Sequence, residues 1–159
     1  MEPDEATQLD PAQLRGPIGD DGIPAVDVEA VRRIAPTYAL GVDRRDEALV
    51  QSLFTADAVV AGSLGQAPAT EYVPKLIAGA SLYAATQHNI TNQYVVRAGD
   101  DLIVHSYAVA LHFGADEHGT GDLAMGVVYR DRATRVGTGW LVSHRHTDIL
   151  WTRRGTLAS

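Results

Sequence analysis

Six histidines and no cysteine set the chemistry that this chain of 159 residues can offer. Without cysteine there is no thiolate nucleophile, no disulfide and no thiolate-held zinc. The histidine that stands out is His88, in the run ATQHNITNQ over residues 85–93. The run reads as a β-strand, yet it carries Gln87, His88, Asn89 and Asn92 where aliphatic side chains would pack better. Either this is a wet edge strand or these side chains face a cavity. Imidazole titrates close to neutral pH, so in a cavity His88 has the makings of a general base and then an acid.

Other polar residues fall where they could join it. In LIVHSYAVALHF, residues 102–113, strict alternation puts Leu102, Val104, Ser106, Ala108, Ala110 and His112 on one face. The small side chains of that face leave room for a packed helix or a ligand. In the last strand Arg145 shares a face with Leu141, Ser143, Thr147, Ile149 and Trp151, while Trp140, Val142, His144, His146 and Asp148 take the other. His144 and His146 raise a metal reading, but two histidines without a placed third ligand are a weak signal beside ordinary packing, and no metal is expected. Tyr38 lies on an apolar helical stripe. Asp43, five residues on, falls at or past the end of that helix, where a carboxylate can reach a cavity mouth.

The elements that must position these residues fall into two halves. From a start near Asp27, taken as an N-cap, Val28, Val31, Ile34, Ala35, Tyr38 and Val42 form one helical stripe, with Pro36 expected to kink or break it. Asp46 caps a second helix, whose buried side holds Leu49, Leu53 and Phe54. TADAVVAG is a short strand, SLGQAPA a loop, and Thr70 the cap of a third helix, EYVPKLIAGASLY. Four strand-like runs follow, at 86–98, 101–114, 121–131 and 138–151, joined by AGDD, GADEHGTG and RATRVGTG. Short connections imply antiparallel hairpins. Helices followed by a curved meander make an α+β domain. The expected division is an acidic, flexible arm over 1–25, one domain over 26–152 and a tail over 153–159.

Bulk properties exclude several classes. A formal net charge of −7 argues against binding nucleic acid or an anionic membrane. No apolar run approaches the ~20 residues of a membrane span, and the N-terminus lacks the apolar core of a signal peptide. The chain is read as a soluble, cytoplasmic protein. No phosphate-cradling glycine loop and no G-x-S-x-G elbow occurs, so no nucleotide cofactor or serine nucleophile is expected, and no cofactor at all.

Three stretches, YALGVDRRDEALVQSLFTADAVV, TQHNITNQYVVRAGDDLIVHSYAVALHF and GWLVSHRHTDILW, resemble the SnoaL-like branch of the nuclear transport factor 2-like superfamily. The resemblance covers residues from about 27 to 152. It implies a cone of strongly curved antiparallel sheet, closed by about three N-terminal helices around an apolar pocket. The polar residues are most like those of dehydratases such as scytalone dehydratase and bile acid 7α-dehydratase. By that likeness Tyr38, Asp43 and His88 are the catalytic tyrosine, orienting aspartate and histidine, and His112 is a second acid–base residue. Arg145 matches an arginine of the last strand that binds substrate, and Phe54, Asn92 and Trp151 are taken as further substrate contacts. The Arg-x-Asp run of the epoxide-hydrolase branch and the mid-strand carboxylate of ketosteroid isomerases are absent.

The expected function is a cofactor-free lyase or isomerase, dehydratase-like, acting on a hydrophobic carbonyl compound of polyketide, steroid or aromatic type. Asp43 would fix the tautomer of His88 and stabilise its cation. Tyr38 would donate to a carbonyl oxygen as enolate charge develops. The alternative is a non-catalytic ligand-binding or oligomerisation module, including the role of a dioxygenase small subunit. A homodimer or higher homo-oligomer is expected, since the outer sheet face of this fold usually pairs.

Overall fold

The computed structural model describes residues 3–17 and 21–155. Helices α1 (Pro3–Ala6), α2 (Ala25–Arg32), α3 (Ile34–Arg44) and α4 (Glu47–Gln51) precede strands β1 (Phe54–Gly62) and β2 (Gly65–Pro68). After α5 (Ala69–Ala80) come β3 (Ala85–Ala98), β4 (Asp101–Phe113), β5 (Asp122–Val136) and β6 (Gly139–Gly155). The six strands form one curved, unclosed sheet in the order β2-β1-β6-β5-β4-β3, so the fold is α+β as expected. The last four strands are the expected antiparallel meander. β1 returns beside β6 and pairs with it in parallel.

The first helical pattern breaks in two, and the physical cause is Pro36. Its ring nitrogen donates no hydrogen bond and its ring crowds the carbonyl of residue 32. The chain therefore re-starts at Ile34, and Pro36 falls in the first turn of α3, where it is tolerated. The carbonyl of Arg32 is taken up by the Gln93 side-chain amide at 2.9 Å. Ile34, Ala35, Tyr38, Ala39 and Val42 make the buried stripe of α3. Asp46 caps α4 as expected, accepting from the Leu49 amide at 2.9 Å.

Three local expectations are corrected. Asp27 is in the first turn of α2 rather than at its cap, because Arg135 (2.6 Å) and the Trp140 indole (3.0 Å) take its carboxylate. Thr70 is likewise inside α5, which Pro68 opens without a side-chain cap. SLGQAPA is not a loop: its second half is β2, folded back on β1 as a hairpin. β6 also runs to Gly155, past the boundary expected at 152.

The acidic N-terminal segment is anchored at its start. Ala6 and Thr7 are buried, the Thr7 carbonyl accepts from His105 Nε2 at 2.8 Å, and Asp4 pairs with Arg130 on the outer sheet face. The main core lies between the helices and the concave inner face of the sheet. Val31, Val42, Val50, Val73, Leu102, Val104 and Val142 are among its most deeply buried aliphatic residues on that side. Each such side chain contributes about 1.5–3 kcal/mol by leaving water.

Candidate active site

Three β-bulges decide which side chains face inward. A bulge adds a residue to one strand and reverses the alternation beyond it. In β3 the register jumps between Ile90 and Gln93, so Thr91 and Asn92 together oppose Tyr107. Thr86, His88, Ile90 and Gln93 thus share the inner side, and Asn92 is exposed. In β6 one jump falls at Ser143, between Val142 and His144, and another at Leu150, between Ile149 and Trp151. Arg145, Thr147 and Ile149 face inward up to the second bulge, and Thr152 and Arg154 after it.

These inner side chains and the helices enclose a cavity of about 470 Å³. Val42, Leu76, Ala110, Met125, Val127 and Ile149 give it apolar walls. Tyr38, Tyr129, His88 and His112 put polar atoms among them. Such a mixture, mostly apolar with a few converging polar groups, is the usual make-up of a small-molecule site.

Asp43 sits in the last turn of α3 and reaches across to β3. Its Oδ1 is 2.7 Å from His88 Nδ1 and accepts from the Thr86 hydroxyl at 2.9 Å. Its Oδ2 accepts from the His88 backbone N–H at 3.0 Å. The carboxylate therefore grips both the ring and the main chain of His88. A carboxylate beside Nδ1 selects the tautomer protonated there, which leaves Nε2 unprotonated as a base. Burial pushes the pKa of Asp43 up, but the bonds from the His88 ring, the His88 backbone and Thr86 outweigh it and hold the carboxyl below its ordinary value.

Sequence reasoning missed the support behind this pair. Arg45 adopts a left-handed backbone conformation (φ 60°) at the end of α3, where glycine is the usual occupant. Its guanidinium folds back to donate to Thr86 Oγ1 at 2.7 Å and to the Val42 and Asp43 carbonyls at 2.8 and 3.2 Å. Arg45 thus ties the helix end to β3. The signal was available: Thr86 is two residues before His88 on the same strand face, and Arg45 follows Asp43 in DRRD.

His112 and Tyr38 stand near the pair. The His112 ring centroid is 5.6 Å from that of His88 and 4.9 Å from that of Tyr83. Burial, then the His88 and Arg45 charges, push the pKa of His112 down to about 4 against a smaller pull from the Leu123 backbone. His112 is therefore a neutral imidazole at pH 7. Burial raises the Tyr38 phenol to about 12, with Arg145 opposing the rise, so it keeps its proton. Its ring meets that of Tyr129 edge-on at 5.2 Å.

The structure separates the other expected site residues from the cavity. Arg145 is 1% exposed and donates from Nε and Nη2 of its guanidinium to Asp131, at 2.6 and 2.7 Å. Its charge is packed against the rings of Tyr38, Tyr129 and Phe54, 4.2, 5.0 and 5.4 Å from their centroids. It underlies the tyrosines and does not line the cavity. Phe54 is core. Asn92 and Trp151 are each turned away by a bulge. Trp151 is exposed on the outer face, lying over Gly126, where a Cβ would come within 2.1 Å of the indole nitrogen. His146 is also on that face, 3.3 Å from Asp148, which pairs with Arg130.

Comparison with known proteins agrees with this architecture. A family model described as a SnoaL-like domain matches residues 25–146, and the chain belongs to that family, within the nuclear transport factor 2-like superfamily. No curated protein is matched by the sequence. A candidate scytalone dehydratase from Novosphingobium aromaticivorans is 20% identical, with 84% of this chain and 91% of that one covered and a TM-score of 0.72. A type 2 hexachlorocyclohexane dehydrochlorinase (LinA) is 18% identical over the same shares, with a TM-score of 0.73. A candidate aromatic ring hydroxylase from N. aromaticivorans is 21% identical over 84% and 96%, with a TM-score of 0.74. Among the described residues no helix is long and apolar enough to cross a membrane.

Proposed function

We propose that the protein is a lyase that removes a proton from carbon and expels a leaving group from the neighbouring position, with water the leaving group in the simplest case. The observation that carries this reading is the 2.7 Å contact of Asp43 with His88 on the wall of an apolar cavity. The names of two similar structures, a dehydratase and a dehydrochlorinase, both denote eliminations and support it.

His88 Nε2 takes the proton, and the Asp43 carboxylate stabilises the imidazolium that forms. Where the acidic C–H lies beside a carbonyl, charge develops on that oxygen. The protonated phenol of Tyr38 donates to it, with the Arg145 charge behind the ring strengthening the donor. The electron pair of the broken C–H bond becomes the new double bond as the C–O bond breaks. Neutral His112, its ring against that of His88, completes the polar wall beside the departing oxygen. The imidazolium of His88 then returns its proton to that oxygen, water leaves, and the site is restored.

The test is turnover of hydrophobic β-hydroxy ketones in D2O by the wild type and by His88→Ala. Dehydration, or deuterium uptake beside the carbonyl, should fall by about 10²–10⁴-fold in the variant. Equal rates in the two proteins contradict the reading.

A further inference from the structure

Arg145, expected to hold an anionic or carbonyl group of the substrate, is buried and paired with Asp131. Two other cations line the cavity. Lys75 extends from α5, on the face that also presents Tyr72, Leu76, Gly79 and Ala80 to the cavity, and Arg154 extends from β6. Both are exposed although they line the cavity, so they stand at its mouth, whereas His88 and His112 lie deeper. No described carboxylate pairs with either cation, and none lines the cavity. In a chain whose formal net charge is −7, this is a locally positive entrance to an apolar chamber.

The bulge at Leu150 keeps this entrance open. Without that extra residue, the inward series Arg145, Thr147, Ile149 would continue through Trp151 and Arg153. The observed register instead sets Thr152 opposite Met125 and Arg154 opposite Leu123, both cavity residues, and Trp151 opposite outward-facing Gly126. Bulges beside sites commonly re-aim a side chain in this way. Here the small Thr152 takes the place of a bulky indole, which leaves room beside the guanidinium of Arg154, whose planar fork fits a carboxylate.

We infer that the cavity binds a hydrophobic carboxylic acid, its carboxylate held at the mouth by Lys75 and Arg154 and its apolar body directed inward to His88. This names the substrate class and rests on the proposed elimination site. The anchoring charge is remote from the reacting carbon, so it orients the substrate without neutralising the developing enolate.

Direct binding of an isosteric probe pair tests it: 2-naphthoate, which is anionic, against 2-naphthamide, which is neutral. The wild type should bind naphthoate at least about tenfold more tightly. Lys75→Gln and Arg154→Gln should each weaken naphthoate about three- to tenfold and leave naphthamide within about twofold. Raising the salt concentration should weaken naphthoate alone. Both positions are exposed, so the variants should fold, which circular dichroism verifies. Equal affinity for the two probes, failure to bind either, or an equal change of both in the variants overturns the inference. His88→Ala should keep the naphthoate preference, because it removes the base and not the entrance charges. A failed anion site and a failed reaction reading therefore give different results.

Discussion

Two carboxylates of this molecule each hold a basic side chain, and they do opposite things. Asp131 and Arg145 are 0% and 1% exposed, bonded through the guanidinium Nε and Nη2, and walled in by aromatic rings. Asp43 and His88 make one ring contact, with the carboxylate side chain 24% exposed and the imidazole on the cavity wall. The first pair is shut in an apolar interior, where Asp131 takes the guanidinium Nε and Nη2 and neither side chain reaches the cavity. The second leaves one ring nitrogen uncommitted. The same chemistry, a carboxylate beside a base, is closed to ligands when enclosed and, when one edge is left open, presents a ring nitrogen to a cavity.

The contrast can be broken at several points. The largest expected effect is on the open pair: His88→Ala should lose about 10²–10⁴ in turnover while the fold is retained. At the enclosed pair the effect should appear as stability. Asp131→Ala strands a buried guanidinium and should cost about 3–5 kcal/mol in denaturant unfolding. Thr86→Val sits between, removing the bond to Asp43 and the one from Arg45. A loss of about 1–3 kcal/mol with a moderate fall in turnover is expected.

Acid should act on His112 and Asp43 in different ranges. His112 has its pKa lowered to about 4, so between the ordinary histidine value and pH 4 the unfolded chain binds the proton that the folded chain refuses. Stability therefore falls as the pH is lowered through that range, and His112→Asn should remove that part of the fall. Asp43, held below its ordinary value, contributes stability that is full above the usual carboxylate range. That contribution is lost as the pH drops through its lowered pKa. Asp43→Asn should flatten this more acidic part of the stability curve. The smallest effects belong to Asn92→Ala and Trp151→Phe, which should leave turnover within about twofold because both side chains lie outside the cavity.

Much of this was legible in the sequence where periodicity runs unbroken. The α3 stripe gave Tyr38 and Val42, alternation in β4 gave Ala110 and His112, and the four-strand meander followed from its turns. Trp151 was assigned by counting in twos from Arg145, and that count crosses a bulge; Asn92 was taken with its polar neighbours in ATQHNITNQ, and it too sits at a bulge. Bulges arise from pairing between strands, and a single strand's residue pattern carries little trace of them. Arg145 was placed on the correct face, but its partner Asp131 lies on the neighbouring strand, so the sequence did not show that its charge was already neutralised. Lys75 was passed over because a lone lysine on a helix reads as solvated surface until the helix is seen to close a cavity.

The central claim is that Asp43 holds His88 as the Nδ1–H tautomer with Nε2 left as the base. Two-bond proton–nitrogen correlation spectra of the histidine rings at pH 8, recorded on the wild type and Asp43→Asn, test it without any substrate. The account predicts a protonated Nδ1 and an unprotonated Nε2 for His88 in the wild type, with that preference lost in the variant. A wild-type His88 protonated at Nε2, or a tautomer unaffected by Asp43→Asn, would contradict it.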